Sequence, residues 1–128
     1  MADINKIREE YFAWDPHNDS EFAPQIYGSG TIGGKGRSLL FALRKLRDSG
    51  DPQLMETKVP ESIYFGISLF HEFLLGVPNF ETLLANDDPD MLEQAFLSAP
   101  VPPVITEALT KFLKEMTDPV VVRSSSRL

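Results

Sequence analysis

The 128-residue chain has no cysteine, which excludes disulfides, thiol nucleophiles and cysteine-ligated zinc. Long apolar runs are also missing. None approaches the roughly 20 residues needed to span a bilayer. The opening Met1-Ala2-Asp3-Ile4-Asn5-Lys6 lacks the basic-then-apolar order of a signal peptide. Together these absences lead us to expect a cytoplasmic protein. Positive charge is scarce: 12 Lys and Arg stand against 19 Asp and Glu, a formal net charge of −7. Such a chain as a whole repels nucleic acid and anionic membrane, so neither is expected as a partner. What is present argues for a folded core. Hydrophobic residues make up 42% and aromatics 10%, too much for a disordered chain. The length suits one domain or part of one, able to bury about two-thirds of its unfolded surface.

The negative charge is unevenly spread. Residues 1–50 carry seven basic and seven acidic side chains; residues 51–128 carry five and twelve. Within the neutral half, Lys35, Arg37, Arg44, Lys45 and Arg47 run without an intervening acid. Five such charges can hold a small polyanion.

Glycine and proline divide the chain into elements. Ile4, Ile7, Tyr11 and Phe12 predict a short amphipathic helix over 3–14, ended by Asp15-Pro16. Residues 16–31 are polar and turn-rich. From Lys35, Leu39, Leu40, Leu43 and Leu46 mark one helix face, closed by Gly50-Asp51-Pro52. Ile63-Tyr64-Phe65 reads as a strand between Pro60 and Gly66. Ser68 is the expected N-cap of a helix through Leu69, Phe70, Phe73 and Leu74, stopped by Gly76 and Pro78. Phe80, Leu83 and Leu84 predict a short helix. Asp87-Asp88-Pro89 turns into another, through Met91, Leu92, Ala95 and Phe96. After the stiff Ala99–Pro103 break, Ile105, Ala108, Leu109, Phe112, Leu113 and Met116 fit one helix face. Val120-Val121-Val122 reads as a buried strand. The expected class is α+β, with α/β character and few strands. Two clear strands fall short of the three or more that a stable sheet normally needs. A further strand near 23–27 or 55–59, or an incomplete chain, would account for the shortage.

Five of the eight glycines lie between Gly28 and Gly36. Glycine lets backbone approach a ligand closely, and a glycine loop opening a helix aims free N–H groups at an anion. Lys35 adds a mobile charge. A flexible loop capping a helix is the plain alternative. The phosphate-binding pattern G-x-x-x-x-G-K-[ST] fails, because Ser29 replaces its first glycine and Gly36 its final hydroxyl. The dinucleotide pattern G-x-G-x-x-G is met by Gly28, Gly30 and Gly33. It needs a hydrophobic strand immediately before it, and Glu21–Ile26 contains Pro24. A second signal is Arg123-Ser124-Ser125-Ser126 at the end of the valine run. The planar guanidinium suits phosphate oxygens, and the serines add donors.

Ile32–Leu39, Val59–Phe65, Leu69–Leu74 and Val121–Ser126 form four blocks. In this order they resemble the nucleotide-binding domain of the phosphoenolpyruvate synthase and pyruvate phosphate dikinase family. Arg37, Glu61-Ser62 and Ser126 depart from the family's usual residues. The resemblance implies the N-terminal part of an ATP-grasp-type domain over residues 32–128, preceded by a helix and polar lead-in over 1–31. It implies an ATP-dependent phosphotransferase as parent. A phosphoryl group would pass from ATP, through a histidine on a swivelling domain, to pyruvate in another domain. Gly33, Gly34, Lys35, Gly36, Arg123, Ser124 and Ser125 would bind the nucleotide. The Mg²⁺ ligands would lie beyond Leu128, leaving no catalytic residue in this segment, which would be inactive alone. A non-catalytic regulatory or interaction module of the same fold is the competing class, and a dinucleotide-binding domain a third.

The remaining candidates have plain readings. His17 is expected in a solvated loop, and His71 in a structural place beside Phe70 and Phe73. Asp87, Asp88, Asp90 and Glu93 lack calcium-loop spacing, so helix capping is expected of them. Trp14 and the phenylalanines are expected in the core. Arg44, Lys45 and Arg47 form a solvated helix face, and Arg37 is the better phosphate candidate.

Overall fold

A computed structural model describes residues 3–126. The fold is α+β and mostly helical, with one parallel two-stranded sheet among the described residues. In order come α1 (Ile4–Ala13), β1 (Ile26–Tyr27), α2 (Gly33–Arg47), α3 (Pro52–Met55), β2 (Tyr64–Phe65), α4 (Ile67–Leu75), α5 (Phe80–Ala85), α6 (Pro89–Ser98) and α7 (Pro103–Glu115). Two single 3₁₀ turns, Pro16–Asn18 and Ala23–Gln25, lie between α1 and β1. No described helix is long and apolar enough to cross a membrane.

The chain divides into two compact units. The first comprises residues 3–26, 31–64 and 123–126; the second, residues 27–30 and 65–122. The first is built around α2. Its period-3.6 leucines bury Leu40 and Leu43 with Phe22 and Ile32, and Trp14, Ile26, Leu46, Val59 and Tyr64 pack onto that cluster. Leu40 is 1% exposed. Burial of such a side chain contributes about 2–3 kcal/mol. The Phe41 ring meets Tyr11 edge-on at 5.2 Å and Trp14 at 5.7 Å.

The second unit buries Leu69, Val77, Ala99 and Ala108. Phe96 lies 5.4 Å from the ring of Phe73 and 6.0 Å from that of Phe80, which ties α6 to α4 and α5. Asp88 caps α6 as expected, its carboxylate accepting from the Asp90 and Met91 amides at 3.1 and 3.2 Å. The helical hydrophobic face expected after Pro103 is α7, with Ala108 buried and Ile105, Leu109 and Phe112 half-buried.

Three local expectations change, and one open alternative is resolved. Helix α2 begins at Gly33, two residues before Lys35, because Thr31, Ser125 and Ser126 supply acceptors for its first amides. Ser68 is not an N-cap: Gly66 holds that place, and the Ser68 hydroxyl accepts from the Ser29 amide at 2.8 Å. The extra strand is β1, within the 23–27 candidate, whereas 55–59 forms none. Val120-Val121-Val122 is neither a strand nor buried. The three residues are 42%, 77% and 90% exposed, since no described segment pairs with them.

Candidate functional site

The first turn of an α-helix leaves its leading N–H groups without partners inside the helix. At α2 these belong to Gly33, Gly34, Lys35 and Gly36. Three of them meet oxygen. Gly33 N–H donates to Thr31 Oγ1 at 3.0 Å, Gly34 N–H to the Ser126 carbonyl at 3.1 Å, and Gly36 N–H to Ser125 Oγ at 3.0 Å. The two sequence signals, 89 positions apart, therefore meet inside one unit. The glycine turn is a cradle for oxygen acceptors, and the chain's own serines occupy it.

Glycine is required here for two separate reasons. Gly33 has φ +80°, and a β-carbon on it would overlap the Ser125 carbonyl. At Gly36 a β-carbon would come within 3.1 Å of the Tyr64 ring, so the residue allows α2 to lie close against Tyr64. By contrast Gly28 and Gly30, the first two positions of the dinucleotide pattern, belong to the other unit. Their β-carbons would press on Leu69 and Ile67 at the start of α4.

The five-cation run is not a free cluster. Arg44 pairs with Glu21 and lies 3.5 Å from Asp19, and Arg47 reaches Glu21 at 3.1 Å. Arg47 also donates to the Met55 and Thr57 carbonyls at 2.7 and 2.8 Å. Lys45 pairs with Glu10. Burial alone would lower the Arg44 pKa; the Glu21 hydrogen bond and the charges of Asp19, Asp48 and Glu21 outweigh it, so the guanidinium is held above its ordinary value. The Lys45 hydrogen bond holds Glu10 below the usual carboxylate range.

Arg37, expected as a phosphate ligand, is engaged elsewhere. Its guanidinium donates to the carbonyls of Tyr11 at 2.6 Å and Trp14 at 2.5 Å, where α1 ends. It thereby serves the orphan carbonyls of that helix. Lys35 differs: its side chain is exposed and forms no ion pair or hydrogen bond with any described residue. Arg123 and Ser124 are likewise exposed, and Ser125 is half-buried. Neither the sequence patterns nor the candidate residues single out Thr31. Its signal is a hydroxyl two residues before an N–H that needs an acceptor, the local turn in which threonine competes with helix bonding.

His71 is exposed on α4, so its expected structural role has no counterpart in a buried contact. His17 lies in the 3₁₀ turn after α1 and is half-buried. Trp14 packs on the core of the first unit, as expected. Comparison with protein-family models, with curated proteins and with solved structures found no match to this chain.

Proposed function

We propose that this chain is the nucleotide-binding segment of a cytoplasmic, dikinase-type phosphotransferase, with an ATP-grasp-type arrangement completed by chain beyond Leu128. The observation that carries this reading is the docking of Ser125 and Ser126 onto the amides that open α2. It gathers Gly33, Gly34, Lys35, Gly36, Arg123, Ser124 and Ser125 into one unit.

The donor set suits phosphate oxygens: backbone amides at a helix start, an ammonium without an acid partner among the described residues, and an exposed guanidinium. ATP with Mg²⁺ would supply the phosphoryl group, with the metal's carboxylates beyond this chain. Gly34 and Gly36 would present their N–H groups to phosphate oxygen in place of the serine oxygens they now hold. Lys35 would neutralise charge. A lysine–phosphate pair at 4 Å is worth about 1 kcal/mol in water and about 4 kcal/mol at intermediate dielectric. Arg123 would fix orientation through its planar fork. Phosphoryl transfer depends mainly on such positioning and charge stabilisation. The acceptor histidine and the pyruvate site would belong to other domains of the parent chain.

The filled amides also support a second reading, a non-catalytic module in which the serines keep the turn permanently closed. An amide NMR titration with Mg·ATP separates the two. Shifts at Gly33–Gly36 and Ser124–Ser126 are expected, weakened by Lys35→Ala. Shifts confined to other segments refute the assignment. In the full-length parent, unchanged ATP-dependent phosphorylation after Lys35→Ala refutes the role of that residue.

A further inference from the structure

The second unit carries an acidic, apolar surface that the phosphate-site reading does not use. From residue 59 to residue 110 the chain has no lysine or arginine and eight carboxylates. Within this stretch lies an open cleft of about 360 Å³, wholly inside one unit. Met91, Gln94, Ala95 and Ser98, spaced i, i+3, i+4 and i+7 along α6, form one wall. Leu83 of α5 and Pro100 help close it. Two further leucines of this unit are exposed, Leu75 at 89% and Leu97 at 80%. Asp87, Asp88 and Asp90 lie at the start of α6, next in sequence to the Met91 end of that wall.

We propose that this cleft docks a cationic amphipathic helix of a partner protein, apolar side chains inward and lysines or arginines toward Asp87, Asp88 and Asp90. A helix in a groove lays anchors at i, i+3 or i+4 and i+7 into an apolar cleft, and α6 offers one helix face as its wall. The charge argument selects the partner's sign. Residues 65–122 of this unit carry nine carboxylates against only Lys111 and Lys114, so the surface opposes an acidic segment and attracts a basic one. Exposed leucines on the same unit, at the ends of α4 and α6, suit an extended apolar partner better than a small molecule.

The test uses the 128-residue chain and three fluorescent synthetic helices of equal length. One carries leucine at i, i+3, i+4 and i+7 with lysines on its flanks, one has glutamates in place of those lysines, and one is a scramble of the basic sequence. Anisotropy should show the basic helix binding at least about tenfold more tightly than the other two, with affinity falling as salt rises. Amide shifts should fall within residues 75–100. The exposed double variant Asp87→Asn/Asp90→Asn, which keeps a side chain tolerated at the Asp87 φ of 47°, should lose about fivefold for the basic helix, with circular dichroism unchanged. A single-site variant, Leu97→Ser, should weaken all apolar docking without altering salt dependence. Equal binding of acidic and basic helices, absence of binding, or shifts confined to Gly33–Gly36 overturns the proposal. So does concentration-dependent dimerisation that protects residues 75–100, which would assign the cleft to a second copy of this chain.

Discussion

Gly33→Ala tests the closure of the α2 turn most directly. Two terms act on the folded state. First, alanine at φ +80° sits in the left-handed region, which disfavours a β-carbon by about 1–2 kcal/mol. Second, the new β-carbon would overlap the Ser125 carbonyl, which is backbone and cannot rotate aside. Expulsion of residues 123–126 relieves the overlap at the loss of two hydrogen bonds, Gly34 N–H to Ser126 and Gly36 N–H to Ser125. Each contributes about 0.5–1.5 kcal/mol, so the combined destabilisation should be about 2–5 kcal/mol. Urea unfolding measures the total, and amide exchange at Gly34 and Gly36 reports the local part. Both amides should lose protection even where the rest of the first unit keeps it. A loss below about 0.5 kcal/mol, with both amides still protected, refutes the claim that Gly33 is required by this contact.

Arg37→Ala removes the donor from the Tyr11 and Trp14 carbonyls and should cost about 1–3 kcal/mol, with α1 becoming the first protease-sensitive segment; unchanged stability and unchanged cleavage of α1 would refute this. Burial raises the Tyr64 pKa above the ordinary tyrosine value, against an opposing hydrogen bond with Ser62. Its folded value thus exceeds its unfolded one. The neutral ring's contribution to stability is complete below pH about 10 and is lost as pH rises through the folded pKa. Unfolding followed across alkaline pH should show this loss, and Tyr64→Phe should remove it; an unchanged alkaline profile in that variant contradicts the assignment.

The helices were legible because their ends are written in single residues. Asp15-Pro16, Gly50-Asp51-Pro52, Gly76, Pro78 and Asp88-Pro89 each impose a local backbone preference that tertiary packing does not overturn. The valine run was not legible in this way. Val120–Val122 has strand-forming side chains, but strand formation needs a neighbour, and none of the described residues provides one. The basic run misled for a related reason. Arg44, Arg47 and Lys45 read as free when counted along the chain, yet their partners Asp19, Glu21 and Glu10 lie 23 to 35 positions upstream, or nearer 25 for Asp19 and Arg44. Within the candidate site, the glycine turn and the serine segment were each legible. That Ser125 would place its hydroxyl on the Gly36 amide was not, because no local pattern encodes an 89-residue contact.

That contact turns most of the chain into a ring. Closing a flexible loop of 89 residues costs about 4 kcal/mol in chain entropy. The two hydrogen bonds at Gly34 and Gly36 contribute together only about 1–3 kcal/mol. The serines can hold their place only if the intervening residues 65–122 are already folded and the effective loop is short. The Gly36 amide is therefore a gauge of ring closure: each time residues 123–126 leave the start of α2, its proton becomes free to exchange.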